Sequence, residues 1–243
     1  MAKNPHALPS EELKYFFIHI PKNGGMTIRK SEYIKGNIAI ANRRNHKSEM
    51  YSAMVLQTMK ANKDHHGFEH ARYRDIHDTF KTTQQGTIKF FAITRNPWSR
   101  VASRYMYAKD AMARGSTFAP KSYADVSSLE AFIEERHHWG NKEYMWHRAI
   151  RGWYNAYDYI IDDNEHPRCD MLRLDNLGED CKNYFNISKM SRSRNVAESD
   201  YSYKDLYTDK TIQIIADWYK KDIDHWGYDF DSSATKNYWA ENI

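Results

Sequence analysis

The stretch Tyr15-Phe16-Phe17-Ile18-His19-Ile20-Pro21-Lys22-Asn23-Gly24-Gly25-Met26-Thr27-Ile28 constrains this chain more than any other. A run of β-formers ends in proline, lysine and two glycines, and then Met26-Thr27-Ile28-Arg29-Lys30 follows. That order predicts a buried strand, a tight turn and the first turn of a helix. Such a junction aims several backbone N–H groups at one point, where the helix dipole also favours negative charge. Glycine permits positive φ and close approach of a ligand to the backbone. Lys22 adds a mobile cation at the same mouth. The junction is expected to hold a phosphate or sulfate group; the alternative is an ordinary turn with a solvated lysine.

A second run, Lys89-Phe90-Phe91-Ala92-Ile93-Thr94, reads as a strand that ends at Arg95-Asn96-Pro97. Asn96 suits an N-cap and Pro97 the first helical position, so a helix is predicted through about Met112. Further helices are predicted over Ser48–Ala61, 128–137, 141–152, 176–185 and 209–226. The last carries Ile212, Ile215, Tyr219, Ile223 and Trp226 at helical spacing and stops at Gly227. The first helix is expected to reach about Ile34, and residues 36–47 read as an exposed basic connection. Asp158–Ile161 and Asp170–Leu174 are short strand candidates. Loops are expected at 114–123 and 188–204. Strands alternating with helices imply an α/β fold: a central, mostly parallel sheet flanked by helices, with ligands at the strands' carboxyl ends. A chain of 243 residues fits a single domain, here with a flexible segment at 1–13.

Composition removes several classes. With 41% hydrophobic and 14% aromatic residues the chain is not disordered. A net charge of +4 suits an anionic ligand but falls short of a dedicated nucleic-acid binder, so no nucleic-acid partner is expected. Cys169 and Cys181 lack CxxC spacing and read as buried thiols. No 18-residue apolar run and no export signal are visible, so no membrane partner and a cytoplasmic setting are expected.

The first loop is not a Walker A motif, because Lys22 precedes Gly24-Gly25 instead of following the second glycine. The N–H groups of about 24–28 and the Thr27 hydroxyl would instead cradle the anion. Arg95 sits where a parallel strand delivers its last side chain to the ligand edge, and guanidinium binds phosphate bidentately. Ser103, about two helical turns on, is placed to add a hydroxyl to the same anion. Arg100 and Arg104 read equally well as solvated or structural.

Together these pieces resemble a known family. Phe17–Thr27 is similar to the 5′-phosphosulfate loop of the sulfotransferases, closest to the IPKTGGTS form of the carbohydrate branch. Phe91–Tyr105 resembles that branch's 3′-phosphate motif, RNPxxRxxSxY, and Asp222–Phe230 its closing DxxxFGYDF segment. The likeness spans about residues 15–230. Asn23 replaces the usual threonine, and Met26 stands where threonine or serine is common, which leaves the backbone cradle intact. The resemblance implies transfer of a sulfuryl group from 3′-phosphoadenosine 5′-phosphosulfate (PAPS) to a hydroxyl or amine. The acceptor it implies is a glycan or small metabolite, and no metal is required. Lys22, Asn23, Gly24, Gly25, Met26, Thr27, Arg95 and Ser103 would hold the donor, and Lys22 would stabilise the leaving oxygen. Arg194, in the basic loop Ser191-Arg192-Ser193-Arg194-Asn195, would join the 3′-phosphate site.

Glu69-His70-Ala71-Arg72-Tyr73 resembles the family's histidine-bearing segment, which makes His70 the candidate base, with His65 and His66 as neighbours in competition. His66 and His70 also stand at metal-ligand spacing, but no carboxylate or cysteine completes such a site. Trp139, Trp146 and Trp153 are candidates either to stack on a sugar or to fill the core. Arg173-Leu174-Asp175 reads first as a structural strand end. Animal members of the family are mostly Golgi-lumenal, which would be the setting if this chain is a trimmed form. A metal-dependent kinase and a non-catalytic polyanion binder are the competing classes.

Overall fold

The computed structural model describes residues 14–41, 67–76, 88–114, 125–139, 153–190 and 202–239. Four strands form one all-parallel sheet: β1 (Tyr15–Phe17), β2 (Ile38–Ile40), β3 (Lys89–Thr94) and β4 (Asp170–Arg173), in the order β2-β1-β3-β4. The register sets Phe17 beside Ile40 on one side and Phe91 on the other. Parallel neighbours need crossovers, and helices supply them: α1 (Gly25–Lys30), α2 (Pro97–Ala113), α3 (Leu129–Ile133) and α4 (Glu135–Trp139). They are followed by α5 (Tyr157–Ile160), α6 (Leu177–Phe185), α7 (Asp209–Trp218) and α8 (Lys220–Trp226).

Strand alternation divides the core in two. Phe16, Ala92 and Met171 face one side, where Val101 and Tyr105 of α2 meet Ile215, Tyr219 and Trp226. Phe17, Phe91, Ile93 and Leu172 face the other, under Ile28 of α1 and Leu177, Cys181 and Phe185 of α6. Each fully buried Phe or Ile contributes about 1.5–3 kcal/mol of transfer free energy, so both faces are strongly specified. The helices that follow the adjacent strands β1 and β3 therefore lie on opposite faces. That is a topological switch point, where the strand ends leave a crevice.

Several expectations need correction. Residues 36–41 are not all connection, because Ile38–Ile40 pairs with β1 as an edge strand. The first helix stops at Lys30 instead of reaching Ile34. Asp158–Ile161 is helical over Tyr157–Ile160, not extended. The N–H groups of Ala156 and Tyr157 each donate to the Asp222 carboxylate at 2.8 Å, so the helix receives its cap from a residue far away in sequence. The C-terminal helix is broken at Tyr219, whose φ of −103° and ψ of 28° leave the helical region. The bonds Tyr219 N–H to Ile215 O (3.0 Å) and Ile223 N–H to Tyr219 O (3.1 Å) persist across the break. The fully buried Tyr219 ring meets Arg104 there.

The helices expected over Ser48–Ala61 and 141–152, and the segment 1–13, lie outside the described residues. Among the described residues no helix is long and apolar enough to cross a membrane.

Candidate functional site

Lys22 lies in the loop between β1 and α1, and Arg95 directly follows β3. Ile18 N–H donates to Phe91 O at 2.9 Å, which keeps the two strands together past Phe17. Arg95 then donates Nη1 to the Lys22 carbonyl at 2.8 Å. Its Nε and Nη2 both donate to Ser99 Oγ, at 3.0 and 2.9 Å, the same donor pair that a phosphate takes bidentately. Ser103 lies one turn beyond Ser99 on the same face of α2 and is half-buried.

Lys22 has a φ of 67°, in the left-handed region, which costs a non-glycine residue about 1–2 kcal/mol. Both carbonyls flanking it are held. Arg95 holds the carbonyl of Lys22, and Arg100 Nε donates to that of Pro21 at 3.2 Å. The Lys22 ammonium rests over the Tyr107 ring, 4.4 Å from its centroid. Burial, then Arg95 and Arg104, pull its pKa from 10.5 to about 8. Burial likewise lowers Arg95, against the opposing charge of Asp175. Among the described residues neither Lys22 nor Arg95 has a carboxylate within ion-pairing distance. A half-buried lysine whose pKa is lowered by burial and by neighbouring arginines gains from an anion.

Gly24 has the positive φ expected of a loop glycine, and packing adds a further reason for glycine at both positions. A Cβ at Gly25 would stand 2.1 Å from His19 Nε2, and one at Gly24 would stand 2.5 Å from Leu174 Cδ1. Both missing side chains face the protein: the buried His19 ring demands glycine at 25, while at 24 the φ of 75° demands it and only the movable tip of Leu174 stands in the way. The Asn23 side chain points inward as well: it is fully buried, and Nδ2 donates to Ile93 O at 2.7 Å. It ties the loop to β3. Thr27 is buried and its N–H donates to Gly24 O at 3.0 Å, which withdraws that N–H from the cradle. The N–H groups of Gly25 and Met26, in the first turn of α1, have no intrahelical acceptor. The Met26 side chain is half-buried, with its sulfur 3.9 Å from Arg29 Nη1.

His70 is brought to the loop through His19. Its Nδ1 lies 2.8 Å from the His19 carbonyl oxygen, and the two rings pack with centroids 4.4 Å apart. A carbonyl only accepts, so Nδ1 carries the hydrogen and a neutral His70 keeps its lone pair on Nε2. Burial, then the charges of His70 and Arg29, push the pKa of His19 well below the usual histidine value, so that ring stays neutral. Glu69 fixes the same segment to α1 by a two-pronged pair with Arg29, at 2.5 and 3.1 Å.

Arg100 and Arg104 are fully buried, which settles their reading as structural in preference to solvated. Arg104 stacks 4.1 Å over the Trp153 ring and donates to Tyr219 Oη at 3.0 Å. Trp153, only 1% exposed, is core and not a stacking platform. Arg173 is the structural residue expected, paired with Asp180 at 2.6 Å. Both cysteines are free thiols. Arg194, His65, His66, Trp146 and the Trp139 side chain lie outside the described residues. Asn96 caps α2 as expected, accepting from Trp98 N–H (3.1 Å) and Ser99 N–H (3.2 Å). It also anchors the closing segment, with Nδ2 donating to the carbonyls of Asp229 (2.8 Å) and Ser232 (2.9 Å).

The sequence reading missed His19, Ser99 and the Arg29–Glu69 pair. Ser99 had a signal, the one-turn spacing from Arg95. The other two rest on tertiary contacts with no local signature. A cleft of about 430 Å³ opens elsewhere, between Arg74, Tyr154, Asn155, Trp218 and Lys221, and no predicted donor-site residue lines it. No protein-family model, curated protein or solved structure matches the chain.

Proposed function

We propose that the chain is a sulfotransferase that moves a sulfuryl group from PAPS to a hydroxyl or amine of a glycan or small metabolite. The observation that carries this reading is the meeting of Lys22 and Arg95 at the β1/β3 switch point, with no carboxylate of the described residues within ion-pairing distance of either. Two cations, each from its own strand–helix junction, suit a donor with two anionic groups. Lys22 and the first-turn N–H groups would take the 5′-phosphosulfate, and Arg95 with Ser99 and Ser103 the 3′-phosphate. The resemblance of Phe17–Thr27 and Phe91–Tyr105 to the two donor motifs supports the same division.

The chemistry is an in-line displacement at sulfur. The bond from the acceptor oxygen or nitrogen forms as the bond to the 5′-phosphate oxygen breaks. Negative charge gathers on that leaving oxygen, and Lys22 is the cation placed to meet it. His70 takes the acceptor's proton at Nε2, because Nδ1–H is committed to the His19 carbonyl. The acceptor becomes sulfated, and adenosine 3′,5′-bisphosphate is released.

Calorimetry tests the donor site directly: adenosine 3′,5′-bisphosphate should bind much more tightly than 5′-AMP, and equal affinities would sink the reading. Lys22→Ala is expected to lower transfer of labelled sulfate by about 10²–10³-fold, the usual cost of a lost oxyanion contact. His70→Ala should lose turnover but keep nucleotide binding. Phosphoryl transfer from ATP that vanishes with a chelator would favour a kinase instead.

A further inference from the structure

Lys22 holds its left-handed conformation between two arginine–carbonyl bonds, and the second of these leads away from the crevice. Arg100 is fully buried, donating Nε to Pro21 O at 3.2 Å and Nη1 to Tyr154 O at 2.9 Å. Its only carboxylate among the described residues is Asp222 of α8, with Oδ2 3.9 Å from Nη1. Asp222 is 1% exposed and is itself fixed by the N–H groups of Ala156 and Tyr157, both at 2.8 Å. Removing the negative partner of a buried guanidinium leaves its charge uncompensated and loosens its hold on the carbonyls.

We propose that Asp222 is a positioning residue for Lys22, acting through Arg100 on the Pro21–Lys22 peptide. Its catalytic consequence rests on the sulfuryl-transfer reading, but the positioning itself does not. The carboxylate holds Arg100, Arg100 holds the Pro21 carbonyl, and that peptide plane sets the direction in which Lys22 leaves the loop. Protonation of Asp222 weakens the first link of this chain.

The surroundings place that protonation in an accessible range. Burial raises the Asp222 pKa to about 7, against the opposing pull of Arg100 and the two backbone N–H groups. From α5 comes Asp158, which raises it further and is paired with Lys221 of α8 at 3.0 Å. Beyond α8 comes Tyr228, whose hydroxyl stays protonated. At the α7–α8 break the Tyr219 ring lies 5.7 Å from the Arg100 guanidinium carbon.

The test is carbon NMR on the full chain without nucleotide, following the Lys22 ε-carbon, the Asp222 γ-carboxyl and the His70 ring against pH. Lys22 should show its own transition near 8 and a second inflection at the Asp222 midpoint. In Asp222→Asn and Arg100→Met the second inflection should vanish and the Lys22 midpoint should rise toward that of an ordinary lysine. Turnover in those variants should fall on the order of 10²-fold, the cost of displacing a catalytic group by about 1 Å. A wild-type Lys22 with a single transition, or with its second inflection at the His70 midpoint, would overturn the proposal. That wild-type measurement decides the matter even if the variants fail to fold. A wild type that shows the coupling but binds no adenosine 3′,5′-bisphosphate would overturn the sulfuryl-transfer reading and leave the relay standing.

Discussion

Replacing Gly25 by alanine sets two effects of known sign against each other. Gly25 is the first residue of α1, where backbone entropy alone favours alanine by about 0.5–1 kcal/mol. The new Cβ, however, would stand 2.1 Å from His19 Nε2 and 2.2 Å from Cδ2, where ordinary contact starts at 3.4 Å. The ring would have to retreat by more than 1 Å, and it has nowhere to go. It is 6% exposed, stacked on Phe17 with centroids 5.4 Å apart and packed on His70 at 4.4 Å. Overpacking of that kind costs about 1–3 kcal/mol, so Gly25→Ala should destabilise by up to about 2.5 kcal/mol despite the better helix former. Urea denaturation followed by tryptophan fluorescence measures this, and a cycle with His19→Ala isolates the cause. Once the ring is gone, Gly25→Ala should become neutral or mildly stabilising. Equal costs in both backgrounds would refute the steric account and return Gly25 to the role first expected, clearance for a ligand.

Three further outcomes are expected. Arg29→Met should destabilise by about 1.5–3 kcal/mol, the worth of hydrogen bonds to a charged group, and loosen the Glu69–His70 segment. Its turnover should fall by more than its nucleotide affinity, read by steady-state kinetics beside calorimetry. Lys22, with a pKa lowered from 10.5 to about 8, binds fewer protons folded than unfolded between those values. This group's contribution to stability therefore rises with pH across that window. Affinity for adenosine 3′,5′-bisphosphate should run the opposite way, present below pH 8 and lost above it, and Lys22→Met should abolish the difference between pH 7 and pH 9. Asn96→Ala removes the cap of α2 and both bonds to the closing segment, at about 2–4 kcal/mol in total, visible as a lowered denaturation midpoint.

The parts of the fold that could be read in the sequence are those fixed by local chemistry. β1, β3 and the start of α2 come from unbroken β-formers, from Asn96 as a cap and from Pro97 at the first helical position. The parts that could not be read are fixed at a distance. Tyr157–Ile160 has β-forming residues and no cap of its own, yet it is helical because Asp222 supplies the cap from α8. Ile38–Ile40 follows a polar turn and is too short to show an alternating pattern. It is a strand because β1 offers it an edge. The break at Tyr219 carries no glycine or proline, so nothing in the i, i+3, i+4 pattern could announce it.

The arginines following β3 show the same limit at the site. Arg95, Arg100 and Arg104 lie on one short stretch, and the sequence sets Arg95 at the ligand edge but leaves Arg100 and Arg104 open between solvated and structural. Spacing on α2 separates them. Arg95 precedes the helix and turns toward Lys22 and Ser99 at the crevice, while Arg100 and Arg104 stand one turn apart on the buried face. A fully buried guanidinium is costly unless carbonyls, a carboxylate or ring faces compensate it. Those compensations come from residues that share no sequence neighbourhood with it: Pro21, Tyr154 and Asp222 for Arg100, Trp153 and Tyr219 for Arg104. The motif arginines therefore divide the labour between them, one facing the crevice and two holding the loop and the C-terminal helices to α2. On that division Arg95→Ala should cost nucleotide affinity and less stability than Arg104→Ala, which empties a fully buried site.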